Sequence, residues 1–405
     1  MTEPQAPSKP AETKKKGPLP ALFLTIFLDL FGFGMLLPLL PFYAAEFQAD
    51  AFLIGLIFSS YSFAQFLFAP FWGQISDRFG RRPVLIGTVA GTTIAHGALA
   101  LAPSLTLVFI ARIAAGIFAA NYSIAQAYIA DITDREGRAR GMGILGAAFG
   151  LGFVFGPAVG AIVGASFDLR AVPMLAAVLS AINWFLLIVR LPESLPPERR
   201  SKKPWRWLLS GFEAFGHKGS LTALLSLFFF IVLAFSAMEA MLALFLEERF
   251  GWDIANTGML LVYIGVVMVI VQGAFLGRLV KRFGEPNLIL AGILSTLAGL
   301  ALFPFSHGLP LLLTASALLA IGSGLYSPSL TGLVSRLVPE DSQGSTLGVT
   351  RSPGALARAV GPAVGGALFS SLGEMAPFFA AAGIMLLCFA LATWVLGRLG
   401  PATAD

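Results

Sequence analysis

Four charged side chains stand inside long apolar runs of this chain: Asp29, Arg112, Glu239 and Arg358. A charge at membrane depth is costly, so such residues face a cavity or a partner rather than lipid. At ~1.5 Å of rise per helical residue, Asp29 and Arg358 fall within roughly 10–15 Å of one membrane face, and Arg112 and Glu239 roughly 10 Å from the other. Depth therefore permits two cross-pairs, Asp29 with Arg358 and Glu239 with Arg112, and leaves their lateral placement open. A carboxyl group that alternates between an apolar setting and one beside a guanidinium takes up a proton in the first and releases it in the second. That is the physical requirement for coupling proton movement to a conformational cycle. Asp29, Glu239 and Arg112 are the candidates for it, and Arg358 is a candidate for holding substrate charge. The plainer alternative for each is a static buried ion pair. Arg112 shares its helix face with Gly116 and Ala119, small residues that suit a protein contact better than lipid.

Gln65, Asn121, Gln126, Tyr263, Gln272 and Tyr326 are weaker polar candidates inside the spans. Each is either a hydrogen bond between helices or a substrate contact. The 36 phenylalanines and 10 methionines face lipid or core, and some would give a soft pocket for substrates of variable shape. Cys388 is the one cysteine, so an intrachain disulfide is excluded and no thiol–metal site is supported. Three histidines make a zinc site improbable, and no metal or cofactor is expected. No Gly-x-x-x-x-Gly-Lys loop is present, so ATP is not the direct energy source.

The elements that position these residues are membrane spans. The chain is 57% hydrophobic and 12% charged, with a mean hydropathy of +0.81; a soluble domain carries about 25% charged residues. Runs of about 20 apolar residues fit one helical crossing each. Twelve are readable, near 20–44, 51–72, 83–102, 105–130, 140–165, 172–191, 221–245, 255–276, 287–304, 310–335, 352–371 and 376–397. The net charge of +5 does not point to nucleic acid, because the basic residues gather in the tails and alternate loops. The opposite loops offer Arg170 and Arg249, so the positive-inside rule places both termini in the cytoplasm. The expected divisions are a disordered tail at 1–18, a six-helix bundle at 19–191, a cytoplasmic linker at 192–220, a second bundle at 221–398 and a tail at 399–405. The first tail lacks the apolar region of a cleavable signal. The linker carries Pro192, Pro196, Pro197 and Pro204, with Trp205 and Trp207 suited to the headgroup layer.

Two motifs repeat at nearly one spacing. Gly73-Gln-Ile-Ser-Asp-Arg-Phe-Gly-Arg-Arg-Pro83 returns in degraded form as Gly277-Arg-Leu-Val-Lys-Arg-Phe-Gly-Glu-Pro286 (277 − 73 = 204). Gly156-Pro157-Ala-Val-Gly160 returns as Gly361-Pro362-Ala-Val-Gly365 (361 − 156 = 205). The first Gly-Pro copy sits in a stripe, Gly152, Gly156, Gly160 and Gly164, that lets another helix approach closely, and Pro157 removes one backbone donor. The sequence thus predicts an all-α membrane protein of two pseudo-symmetric six-helix bundles that rock against each other along such seams.

These residues resemble the major facilitator superfamily, and within it the drug/proton antiporters of the tetracycline-efflux type. Leu28-Asp29-Leu30-Phe31-Gly32-Phe33-Gly34 through Pro38-Leu39-Leu40-Pro41 is similar to that group's first helix, and Gly73 to Pro83 to the superfamily's loop signature. Arg112 to Gly116, then Ala127 to Asp134 and Arg138 to Gly141, resemble the fourth helix and its exit. Gly156 to Gly160 resembles the antiporter motif of the fifth helix, and Leu191-Pro192-Glu193-Ser194 the end of the sixth. The resemblance implies a cytoplasmic latch in which Asp77 faces the amino end of the eleventh helix near Ser352 to Gly354. Arg78, Arg81 and Arg82 with Asp131 would form its charge network, Gly73 and Gly80 its turn, and Gly156 and Pro157 would shape the outer seam. The chain also departs from the tetracycline type. That type carries a histidine in the eighth helix and an aspartate in the ninth, where this sequence has Met268 and only Ser295 and Thr296 nearby. A tetracycline–metal chelate is therefore not the indicated substrate. Ser236-Ala237-Met238-Glu239 instead resembles a subgroup that includes organic-anion transporters. In the second signature Lys281 replaces the aspartate, so only the first copy should latch.

The reading is a non-enzymatic, monomeric secondary transporter of a bacterial inner membrane that exchanges protons for amphipathic organic compounds. Its partners are substrate, protons and lipid. Its alternatives are an organic-anion facilitator or symporter, and a lipid-handling or non-transporting membrane protein.

Overall fold

The computed structural model describes residues 18–201, 220–337 and 343–399. The expected tail over 1–17, the expected linker over 202–219 and the last tail from 400 lie outside the described residues. Among the described residues thirteen α-helices follow one another: α1 (Leu19–Ala45), α2 (Ala51–Phe79), α3 (Arg81–Ala100), α4 (Leu105–Phe118), α5 (Asn121–Ile132), α6 (Arg135–Ser166), α7 (Ala171–Arg190), α8 (Ser220–Phe250), α9 (Ile254–Ile270), α10 (Leu276–Leu302), α11 (Leu309–Leu337), α12 (Gln343–Leu372) and α13 (Ala376–Leu399). No strand occurs among the described residues. Lone apolar strands would leave backbone donors and acceptors unpaired in lipid, whereas a helix pairs its own.

These helices make twelve crossings. α4 and α5 form one apolar stretch, Leu105–Ile132, broken at Ala119–Ala120. The stretch Ile254–Phe305 is 52 residues long. That is ~78 Å of helix against a hydrocarbon core of about 30 Å, so it crosses twice. It bends back at Gly284, whose φ of 76° is open to glycine and strained for other residues. A short π-helical turn, Val271–Phe275, joins α9 to α10. Gln272 there is exposed and turned away from the packed interior.

The duplication runs deeper than its two motifs. Gly80 and Gly284 both turn the chain at positive φ, 109° and 76°. At the other face Gln48 and Gly251 do the same, with φ of 58° and 64°. Two residues further on, Asp50 and Asp253 cap the next helix, accepting from the amides of Leu53 at 2.8 Å and Asn256 at 2.9 Å. Five residues beyond each cap stand Gly55 and Gly258, 203 apart (258 − 55). Each is a point of close approach between the bundles. A Cβ on Gly55 would strike the Pro362 carbonyl of α12, and one on Gly258 would strike Ala161 of α6. The seam between bundles is therefore α2 on α12 and α6 on α9, related by a pseudo-twofold. It is fastened by the Ala363 amide donating to Ser59 Oγ at 3.0 Å and the Phe52 amide donating to Ser370 Oγ at 3.1 Å.

Most of the Gly-Pro stripe faces elsewhere, although Gly164 meets Ile254 of α9. Gly152, Gly156 and Gly160 receive α1 at Phe27, Phe31 and Met35, and Gly361 and Gly365 receive α8 at Leu233 and Ala237. The expectation that these glycines line the rocking seam is corrected for them. They glue helices within each bundle, while Pro157 and Pro362, one residue on, turn their carbonyls toward the partner bundle.

The packing is asymmetric across the membrane. One core cluster spans both bundles on the face far from the signature turn, joining Met35 to Ala44 and Ile54 to Phe58 with Met238 to Leu246. On the signature face the first bundle has its own core at Leu22, Leu85 and Leu145, while the shared cluster continues down the second bundle alone to Leu224, Ile289 and Leu333, beside a small cluster at Val271, Leu288 and Leu325. Gly73 and Gly277 on that face meet none of the described residues within 4 Å. Among the described residues the bundles are closed at the far face and apart at the signature face.

Candidate functional site: a charged cavity between two bundles

The signature turn folds around one glutamate. α2 ends at Phe79 and α3 begins at Arg81, so the whole connection is Gly80. Glu193 lies over it and accepts from the amides of Arg81 at 2.9 Å and Arg82 at 3.2 Å, capping α3 where the helix dipole favours an anion. A Cβ at Gly80 would collide with that carboxylate, so Gly80 is required twice over, for its φ and for this approach. Arg81 is the hub. Its guanidinium reaches Asp77 at 2.6 Å, Asp131 at 3.0 Å and Ser76 Oγ at 2.6 Å. Ser194 Oγ donates to Asp131 at 3.1 Å, and Tyr128 OH to the Pro192 carbonyl at 2.7 Å. This ties α2, α3, α5 and the segment after α7 into one charge-assisted knot.

Three parts of the latch expectation change. Asp77 pairs with Arg81 one turn along its own chain. α12 starts at Gln343, so Ser352 to Gly354 lie inside that helix rather than at its amino end; the side chain of Ser352 lies outside the described residues. Arg82 donates to the Ile188 carbonyl at 2.8 Å instead of joining Asp131. Arg78 is exposed.

Deeper in the first bundle, the broken fourth crossing builds the surroundings of Asp29. The break frees carbonyls that α2 then satisfies: Gln65 Nε2 donates to Ala119 O at 3.0 Å and Trp72 Nε1 to Ile117 O at 2.6 Å. It also sets Asn121 at the first turn of α5. Asn121 Nδ2 donates to Asp29 at 2.9 Å, while Thr88 Oγ1 of α3 donates to Asn121 Oδ1 at 2.6 Å. Arg112 of α4 is 1% exposed, and its Nε and Nη2 find no hydrogen-bond partner among the described residues. Its guanidinium lies over the Tyr61 ring, 4.3 Å from the centroid. Tyr61 is also within electrostatic reach of Asp29 and Arg358. His96 of α3, buried with Nδ1 unpartnered among the described residues, feels the Arg112 charge.

Between the bundles lies a small cavity, about 20 Å³ in volume, lined by Phe33, Phe58 and Ser62 of the first bundle and Ser236, Glu239 and Arg358 of the second. Glu239 and Arg358 are within electrostatic reach of each other. Ser236 Oγ stands 3.3 Å from the Ala357 carbonyl, holding α8 to α12 beside the two charges.

The depth-based pairing of Glu239 with Arg112 is thus corrected. Glu239 shares its cavity with Arg358, and Arg112 sits in the first bundle on Tyr61. Depth counted along helix axes ignores the length of an arginine side chain, which carries its charge several residues from its own level. Among the substrate-contact candidates Arg358 lines the cavity. Gln65 and Asn121 are committed to Ala119 and Asp29. Gln126 is half-buried on α5, and Tyr263 packs against the shared core. Tyr326 is buried in that core within electrostatic reach of Glu239. Met268 accepts from Ser323 Oγ at 3.6 Å, and Ser295 Oγ donates to Leu318 O at 2.7 Å, so both are packing contacts of the second bundle. The sequence reading did not single out Tyr61, Thr88, His96, Phe33, Phe58, Ser62 or Glu193's cap. His96 alone carried a usable signal, as an ionisable group inside a span.

Two inverted or repeated helical bundles with a charged cavity at their interface define a secondary membrane transporter. The sequence profile of the Major Facilitator Superfamily matches residues 22–285 and 269–404, and the chain belongs to that family. It is 35% identical to the class C tetracycline resistance protein of Escherichia coli over 363 residues, 88% of this chain and 91% of that protein. It is 30% identical to major facilitator superfamily domain-containing protein 10 of Homo sapiens over 419 residues, 91% of each. The crystal structure of the human organic anion transporter MFSD10 superposes with a TM-score of 0.72 at 29% identity, covering 92% of this chain and 98% of that one. The protein is an integral, multi-pass membrane transporter; its relatives are transporters, not enzymes.

Proposed function

We propose that the protein is a proton-driven antiporter that exports amphipathic organic compounds by opening its two faces alternately. The observation that carries this reading is the interface cavity, where Glu239 and Arg358 stand among aromatic side chains, with Asp29 and Arg112 in the bundle beside it. A guanidinium at membrane depth costs about 2.5–3.5 kcal/mol on insertion scales. A cation–π contact returns about 0.5–2 kcal/mol. The contact between Arg112 and Tyr61 therefore falls short of explaining Arg112 as a stabilising residue. A charge kept for function accounts for it better. In this reading Asp29 takes the proton, Arg112 and Tyr61 set the field around it, and Glu239 couples protonation to the cavity. Arg81, Asp77, Asp131 and Glu193 hold the signature face rigid as it swings, with Gly73 giving α12 room to close. The protein works as a monomer in a bacterial inner membrane, both termini in the cytoplasm and the two bundles divided at the linker.

A second reading, transport of organic anions by facilitation or symport, is favoured by Arg358 in the cavity and by the description of the human relative as an organic anion transporter. Reconstituted protein screened over a panel of amphipathic compounds separates the two. Antiport predicts substrate-dependent proton flux opposite to substrate, lost in Asp29→Asn while binding persists. Uptake of anions that ignores the Asp29 substitution would favour the second reading.

A further inference from the structure

We propose that the cavity selects zwitterionic compounds, with an ammonium and a carboxylate at one end of an aromatic body. The proposal rests on the reading of this cavity as the transport site and names its substrate class. The two charges in the cavity come from one bundle, Glu239 on α8 and Arg358 on α12, while the first bundle contributes Phe33 and Phe58. One wall is thus dipolar and the other is apolar. The hydroxyls of Ser62 and Ser236 are buried at its edge.

The charge balance of such a site restricts its occupant. Glu239 and Arg358 compensate each other when the cavity is empty. A ligand cation that takes Glu239 leaves the guanidinium in a dry setting without its carboxylate, and a ligand anion that takes Arg358 leaves the carboxylate likewise. A buried charge that loses its counter-charge is strongly penalised. A ligand that brings both signs replaces each partner, and its body then lies against the wall of Phe33 and Phe58 as the bundles part.

The test uses three probes with one naphthyl body: naphthylethylamine, naphthylpropionate and naphthylalanine, which carry an ammonium, a carboxylate and both. Binding to the purified full-length protein is measured by competition, so it needs neither transport nor proton coupling. Wild-type protein is expected to bind naphthylalanine at least about tenfold more tightly than either singly charged probe, a difference of about 1.4 kcal/mol. Glu239→Gln is expected to raise naphthylpropionate to parity with naphthylalanine, and Arg358→Gln to raise naphthylethylamine to parity. If Arg358→Gln does not fold, Glu239→Gln decides alone. Equal affinity for the three probes, preference for a singly charged one, unchanged ranking in Glu239→Gln, or no binding of any probe overturns the proposal. Proton flux with other compounds alongside any of those outcomes would leave the antiport reading standing. A zwitterion preference without proton movement would remove antiport and keep the selectivity.

Discussion

Asp29 shows how one carboxylate is held at membrane depth without a counter-charge fixed beside it. Its named partner is a neutral amide, Asn121, which is itself steered by Thr88. A neutral donor can stabilise a carboxylate and still let a proton arrive, which a bidentate guanidinium would oppose. Arg112 is held in the complementary way, by a ring face rather than an acid. This gives a prediction at the residue scale. Tyr61→Phe keeps the ring and should change thermal stability little, whereas Tyr61→Leu removes the cation–π contact and should cost about 0.5–2 kcal/mol. Equal melting temperatures for the two variants in detergent would show that the ring does not hold Arg112. Neither partner was legible in the sequence. The charges were, because an acid within Leu28-Asp29-Leu30 has no apolar reason to be there. The partners were not, because Asn121 reaches Asp29 only through the break at Ala119–Ala120, and two alanines give no warning of a break.

At the scale of elements, the signature turn is a capped helix start. Glu193 binds two orphan amides of α3 at the only point where a glycine makes room for it. Glu193→Ala should therefore destabilise the protein by about 0.5–2 kcal/mol, since it removes the cap of α3 and the anion at its dipole. Glu193→Gln keeps one oxygen acceptor and should lose less. A calorimetric or fluorescence melt checks both, and an unchanged melting temperature in Glu193→Ala would refute the cap. The seam makes a second prediction. A side chain at Gly55 must displace the Pro362 carbonyl, so Gly55→Val should disfavour contact of α2 with α12 at the far face. Cysteines introduced at Phe52 and Ser370, whose backbone amide and hydroxyl are 3.1 Å apart, should crosslink readily in the parent and several-fold less with Gly55→Val. Equal yields would place the seam elsewhere. The Gly-Pro stripe was legible as a close-packing surface because four-residue spacing defines one helix face. Which neighbour it meets was not, since a smooth stripe fits any helix. Gly55 and Gly258 went unread because a lone glycine in an apolar helix says nothing until its partner is known.

For the molecule as a whole, the duplicated turns, caps and seam glycines make two bundles that meet along two equivalent lines. Equivalent seams give a rocking pair two symmetric states, and this structure occupies the one closed at the far face. The twelve crossings, their two-bundle division and the offset near 204 were legible from hydropathy and two motifs, because membrane insertion forces apolar lengths and leaves polar turns visible. The cavity was not, since its two walls come from residues 174 to 325 positions apart, from Ser62 and Ser236 (236 − 62) to Phe33 and Arg358 (358 − 33). Substrate passing between these bundles in exchange for protons is the account's central claim. Its most direct test loads liposomes carrying the purified protein with substrate, equalises pH on both sides, and dilutes them into substrate-free buffer while the internal pH is followed. Antiport predicts that substrate leaving draws protons in, so the interior acidifies, and that Asp29→Asn abolishes the change. An interior that turns alkaline would mean symport, and substrate efflux with no pH change would mean facilitation; either result would contradict the account.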